Sequence, residues 1–151
     1  MQTPWGDCPV SDAHVHFFSR RFFAALGTQC GKDAAAVAGT LEWELPPEDP
    51  VELGRRWLGE LDAHGVARAA LIASMPGDEA SVIPAVAAHP DRFYAYAMVN
   101  PMVEGAAVAP GLHGICLFPA MHCYSVQEKR VEALLEQGLS STAWSSSTAG
   151  C

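Results

Sequence analysis

The chain has 151 residues, 50% of them hydrophobic and 17% charged, a composition that fits a globular protein with a sizeable core rather than a disordered segment. Its formal net charge of -8 leaves no basic patch for a phosphate backbone or an anionic bilayer, and the arginines are scattered, with only the pairs Arg20-Arg21 and Arg55-Arg56 adjacent to one another; this argues against nucleic-acid and membrane partners. No apolar stretch approaches a membrane span and no secretory leader pattern opens the chain, so a cytoplasmic location is expected.

Taken in chain order, Val10 to Phe17 alternates apolar and polar residues after Trp5, Gly6 and Pro9, and reads as a first strand. After Asp49-Pro50, the residues Val51, Leu53, Trp57, Leu58 and Leu61 recur at helical spacing, with Gly65 as the stop. Arg68 to Ser74 is a short apolar run closed by Pro76-Gly77, the signature of a buried strand and a turn. Asp78 then caps a helix from Glu79 to Ala88, with Val82, Ile83, Val86 and Ala87 on one face and Pro84 inside it. Phe93 to Val99 and Gly114 to Phe118 are the third and fourth strands, and Ser125 to Gln137 a helix ending at Gly138. Strand and helix in alternation imply an α/β fold with a parallel sheet. The stretch from Met102 to Pro110 is short for a crossover helix, as an internal deletion would leave it. Leu139 to Cys151 forms a Ser/Thr-rich tail, expected to be disordered.

Strand alternation puts Asp12, His14 and His16 on one face. Neutral imidazoles on a rigid strand suit a divalent metal, with a carboxylate nearby to orient or ligate. His122, Cys123 and Tyr124 follow the fourth strand, where a loop could contact substrate. His64 and His89 stand at helix ends and His113 before a strand, all read as caps or surface residues, and Trp57 reads as core. The five cysteines, Cys8, Cys30, Cys116, Cys123 and Cys151, lack CxxC spacing and are expected as free thiols, with Cys116 packed as a small hydrophobe.

The run from Asp12 to His16 resembles the opening signature of the amidohydrolase superfamily, (β/α)8 barrels that bind zinc or a similar ion through the two histidines. TatD-like nucleases and PHP-type phosphoesterases share that opening. Gly111 to Pro119, with Tyr124 and the helix to Gly138, is similar to the fourth strand and helix of the amidohydrolase-related branch, which includes decarboxylases and lactonases. The resemblance implies that residues 1–138 form about the first four strand-helix units of a TIM barrel. It also implies metal ligands His14 and His16, with Asp12 as a supporting group or ligand. The substrate would be a small carbonyl or carboxylate compound, the reaction hydrolysis of an amide, ester or lactone, or decarboxylation. Members of the family add a histidine from the fifth strand, often one from the sixth, and an aspartate from the eighth. A full barrel takes about 250 residues. A truncated, catalytically inactive fragment that binds metal or self-associates through open sheet edges is therefore the alternative expectation.

Overall fold

A computed structural model describes residues 2–4 and 6–140. A short antiparallel pair, β1 (Gln2–Thr3) and β2 (Gly6–Asp7), precedes the body of the fold. There follow β3 (Val10–Phe17), α1 (Arg20–Cys30), α2 (Ala34–Thr40), α3 (Pro50–Ala63), β4 (Val66–Ala73), α4 (Glu79–Ala88), β5 (Phe93–Met98), β6 (Gly114–Cys116), α5 (Pro119–His122) and α6 (Lys129–Ser140). The four later strands form one parallel sheet in the order β3-β4-β5-β6, so that strand order follows chain order. Among the described residues no helix is long and apolar enough to cross a membrane.

The local signals explain most of the boundaries. Asp49 caps α3 by accepting from the Val51 N–H, with Pro50 in the first turn, where its missing donor costs nothing. Ser19 and Asp33 cap α1 and α2 in the same way. Gly31 closes α1 in the left-handed conformation at φ 64°, a backbone that glycine adopts without steric cost.

One face of the sheet carries Val15 and Phe17, Ala69, Leu71 and Ala73, then Phe93, Ala95 and Ala97, and α3 and α4 both pack there through Leu61, Val82, Ala85 and Val86. Burying this apolar face is the main favourable term holding the sheet and the two helices together. Strand β4 is buried on both faces from Ala69 to Ala73, as its unbroken apolar sequence implies. The opposite face carries the row His16, Ile72, Tyr96 and Gly114, with Tyr94, Met98 and Cys116 alongside. Tyr96 lies so close over Gly114 that a Cβ there would stand 2.2 Å from the ring.

Several sequence expectations change. Helices α1 and α2 occupy a stretch for which no element was expected, and they bury Phe23, Val37 and Ala38 in a second small core. Helix α6 begins at Lys129 instead of Ser125 and runs through Gly138, because glycine inside a helix is a modest penalty that packing of Val131 and Leu134 offsets. Strand β6 stops at Cys116, and Pro119 starts the single turn α5. The connection from Val99 to His113 holds turns and no helix, in line with its expected tightness. Of the expected tail, Leu139 and Ser140 belong to α6, while residues 141–151 lie outside the described residues.

Candidate metal centre

The histidine pair sits at the C-terminal half of β3. His14 Nε2 and His16 Nε2 are 3.2 Å apart, with their rings edge to face at 4.9 Å. Two imidazole nitrogens bound about 2.05 Å from one tetrahedral zinc ion lie about 3.3 Å apart, so the observed pair has the spacing of two ligands on one ion.

A third residue decides which nitrogen of His16 is available. Ser74, just beyond the end of β4, donates its hydroxyl hydrogen to the Ile72 carbonyl at 3.1 Å, which leaves its oxygen as the acceptor for His16 Nδ1–H at 2.9 Å. In the tautomer that this donation to Ile72 selects, the His16 proton sits at Nδ1 and its Nε2 lone pair faces His14. Without an ion, that lone pair accepts from the His14 Nε2–H. The donor set, two neutral imidazoles with one tautomer fixed by a hydroxyl, fits a divalent metal. Among the described residues no group of three or more His, Cys, Asp or Glu side chains converges on one point, so the pair would hold an ion through two protein donors here.

Asp12 departs from the expectation that all three side chains share a face. The register moves from Asp12 opposite Ala69 to Val15 opposite Leu71, so two residues of β3 stand against one of β4 and the alternation is broken by a bulge. The Asp12 carboxylate instead accepts from the His14 backbone N–H at 2.9 Å. Its role is to hold the bulge that presents His14, a local turn-type hydrogen bond of the kind short acidic side chains make.

A cleft of about 230 Å³ opens beside His16. Phe18 stacks parallel to the His16 ring at 5.3 Å, and Trp43 leans on Phe18 at 5.4 Å. Trp57, read from the sequence as core, does pack against the main core, and it also lines this cleft. Arg56 stands at the rim, its two terminal nitrogens taken by Glu44 at 2.6 Å and Glu52 at 3.3 Å. The Glu44 hydrogen bond, then that of Glu52, holds the guanidinium above its ordinary pKa.

His122 and Tyr124 lie past β6, at the other edge of the sheet. Three strand spacings put that edge about 14 Å from β3. Their rings stack at 6.4 Å, His122 Nδ1 is buried with no hydrogen-bond partner among the described residues, and the Tyr124 hydroxyl is covered beside the Phe118 backbone. Burial pushes the Tyr124 phenol above its ordinary pKa. No hydrogen bond or ring contact joins them to His14 or His16 among the described residues. Cys123 between them adopts a positive φ of 54°.

The other histidines are structural. His64 and His89 are the C-caps of α3 and α4, as their positions suggested. His113 differs from the surface residue expected: its Nδ1 accepts from the Ala95 N–H at 3.0 Å and its own N–H donates to the Ala95 carbonyl at 2.7 Å, tying β5 to the start of β6.

No protein-family model matches the chain, and neither a curated protein nor a solved structure matches it.

Proposed function

We propose that this chain is a metal-binding portion of an amidohydrolase-type barrel, in which His14 and His16 hold a divalent ion, zinc foremost, for hydrolysis of an amide, ester or lactone. The observation that carries this reading is the 3.2 Å approach of the two Nε2 atoms, with Ser74 fixing the tautomer of one. The sheet supports the barrel. Four parallel strands in chain order, with α3 and α4 on one face, repeat the unit of a (β/α)8 ring. A doubly wound sheet instead reverses its strand order at a switch point, where its ligands bind. In a ring the face away from the helices is the interior, and sites are built at the C-terminal strand ends, where His16, Ser74 and the loop of His122 and Tyr124 stand.

An ion held there supplies Lewis acidity toward a carbonyl oxygen and makes water acidic near neutral pH. The protein residues bind and orient. His16 offers Nε2 because Ser74 occupies Nδ1, and Asp12 steadies the bulge beneath His14. Tyr124, on the loop after β6 at the same end of the sheet, is the candidate for contact with the substrate. Decarboxylation is the other reaction that the resemblance to the amidohydrolase-related branch implies. A second reading, favoured by the unpaired outer edges of β3 and β6 among the described residues, is a metal-binding module that self-associates without turnover.

Assay of the zinc-loaded chain against aryl esters, anilides and lactones, beside a His14→Ala/His16→Ala variant, separates these readings. Turnover lost in the variant supports the hydrolase. Zinc bound without turnover, in particles larger than one chain by light scattering, favours the module.

A further inference from the structure

We propose that the cleft beside His16 receives the ring of a flat aromatic substrate that carries no negative charge. This rests on the reading of the histidine pair as the reacting end. The cleft reaches that end because His16 itself lines it, with Phe18 parallel to the His16 imidazole. Trp43 is half exposed and lines the same space, an indole face left open where most large aromatic side chains are covered. Trp57 from α3 adds a second indole. A volume of about 230 Å³ is room for an aromatic ring with its substituent.

The charges select among rings. Glu44 and Glu60 both line the cleft, and its cation, Arg56, is spent on Glu44 and Glu52. Bidentate capture of a carboxylate needs free donors in a fork, and both terminal nitrogens of this fork are engaged. Glu60 stands 3.9 Å from His64. An aryl carboxylate therefore meets net negative charge, whereas a neutral amide meets none and an arylammonium gains from both the indoles and the carboxylates.

The test is a nuclear magnetic resonance titration of the chelator-treated chain with benzamide, benzylammonium and benzoate, following the indole N–H signals of Trp43 and Trp57. Benzamide and benzylammonium are expected to shift both signals at concentrations up to about 10 mM. Benzoate is expected to bind about ten-fold more weakly at low ionic strength, with the gap closing as salt rises. Glu44→Gln with Glu60→Gln, both exposed positions, should bring benzoate within about two-fold of benzamide. Trp43→Ala should abolish ring binding. Benzoate binding as tightly as benzamide, or no shift at either indole with any of the three, overturns the proposal. A zinc titration of the same sample keeps the two readings apart. Zinc bound by a chain that takes no ring sinks the cleft and leaves the metal site, and rings bound by a chain that takes no zinc do the reverse.

Discussion

Replacing Ser74 by alanine removes its hydrogen bonds to His16 and to the Ile72 carbonyl and leaves both histidines in place. Ser74 Oγ stands 2.9 Å from His16 Nδ1 and donates onward to the Ile72 carbonyl. Without that oxygen no hydrogen bond among the described residues holds the His16 proton at Nδ1, and the Nε2 lone pair must compete with the other tautomer and with rotation of the ring. A neutral hydrogen bond of this kind contributes about 1 kcal/mol. That corresponds to about five-fold in a binding constant. The loss should fall short of the roughly ten- to hundred-fold effects of supporting residues at enclosed metal sites, because His16 is exposed and water can replace the hydroxyl. The assay is a competitive zinc titration against a chromophoric chelator, with nitrogen chemical shifts of His16 read on the same samples. Ser74→Ala should lower affinity about five-fold and raise the Nε2-protonated population, and Ser74→Thr, which keeps the oxygen, should restore both. An unchanged affinity with an unchanged tautomer in Ser74→Ala would refute the role given to Ser74.

Three further predictions concern the fold and its thiols. Gly114→Ala drives a methyl into the Tyr96 ring and should cost about 1–3 kcal/mol in a denaturant melt, whereas Gly59→Ala, on an open helix face with nothing within 4 Å, should gain up to about 1 kcal/mol. Asp78 is fully buried and accepts from Ser19 Oγ at 2.6 Å and Ser81 Oγ at 2.5 Å, so Asp78→Ala strands two hydroxyls and should destabilise by about 3 kcal/mol, against about 1 kcal/mol for Ser81→Ala. Burial pushes the Cys116 thiol above its ordinary pKa, so near pH 8 it should react with iodoacetamide more slowly than the exposed Cys30 and Cys123, as peptide mapping of a time course would show.

The legible parts of the fold were those in which local chemistry and burial agree. The Asp49-Pro50 start of α3, the apolar run of β4 and the capping role of His64 and His89 all rest on short-range signals. The α1 and α2 region had such signals too, in Ser19 and Asp33 as caps and Gly31 as a stop, but Gly27 and Thr28 interrupt the helical pattern and the buried face is narrow. Asp78 was read as a cap of α4. It does stand at the N-cap of α4, but its side chain makes no capping hydrogen bond to the backbone and instead accepts from Ser19 on another element and from Ser81 within the helix.

For the site, the two histidines could be read from their spacing alone. Their support could not. Ser74 is 58 residues from His16 and becomes its neighbour only when β3 and β4 pair in parallel. The bulge that separates Asp12 from the pair is a property of register, and the alternation of a single strand carries no trace of it. The aromatic wall of the cleft likewise joins Phe18 to Trp43 across two helices.

The account stands most directly on whether His14 and His16 hold metal. Plasma emission analysis of the purified chain, loaded with zinc and dialysed, beside the His14→Ala/His16→Ala variant on fractions of matched size, measures that. About one zinc per chain, absent from the variant, is the predicted result. Equal zinc in both proteins, or none in either, would contradict it.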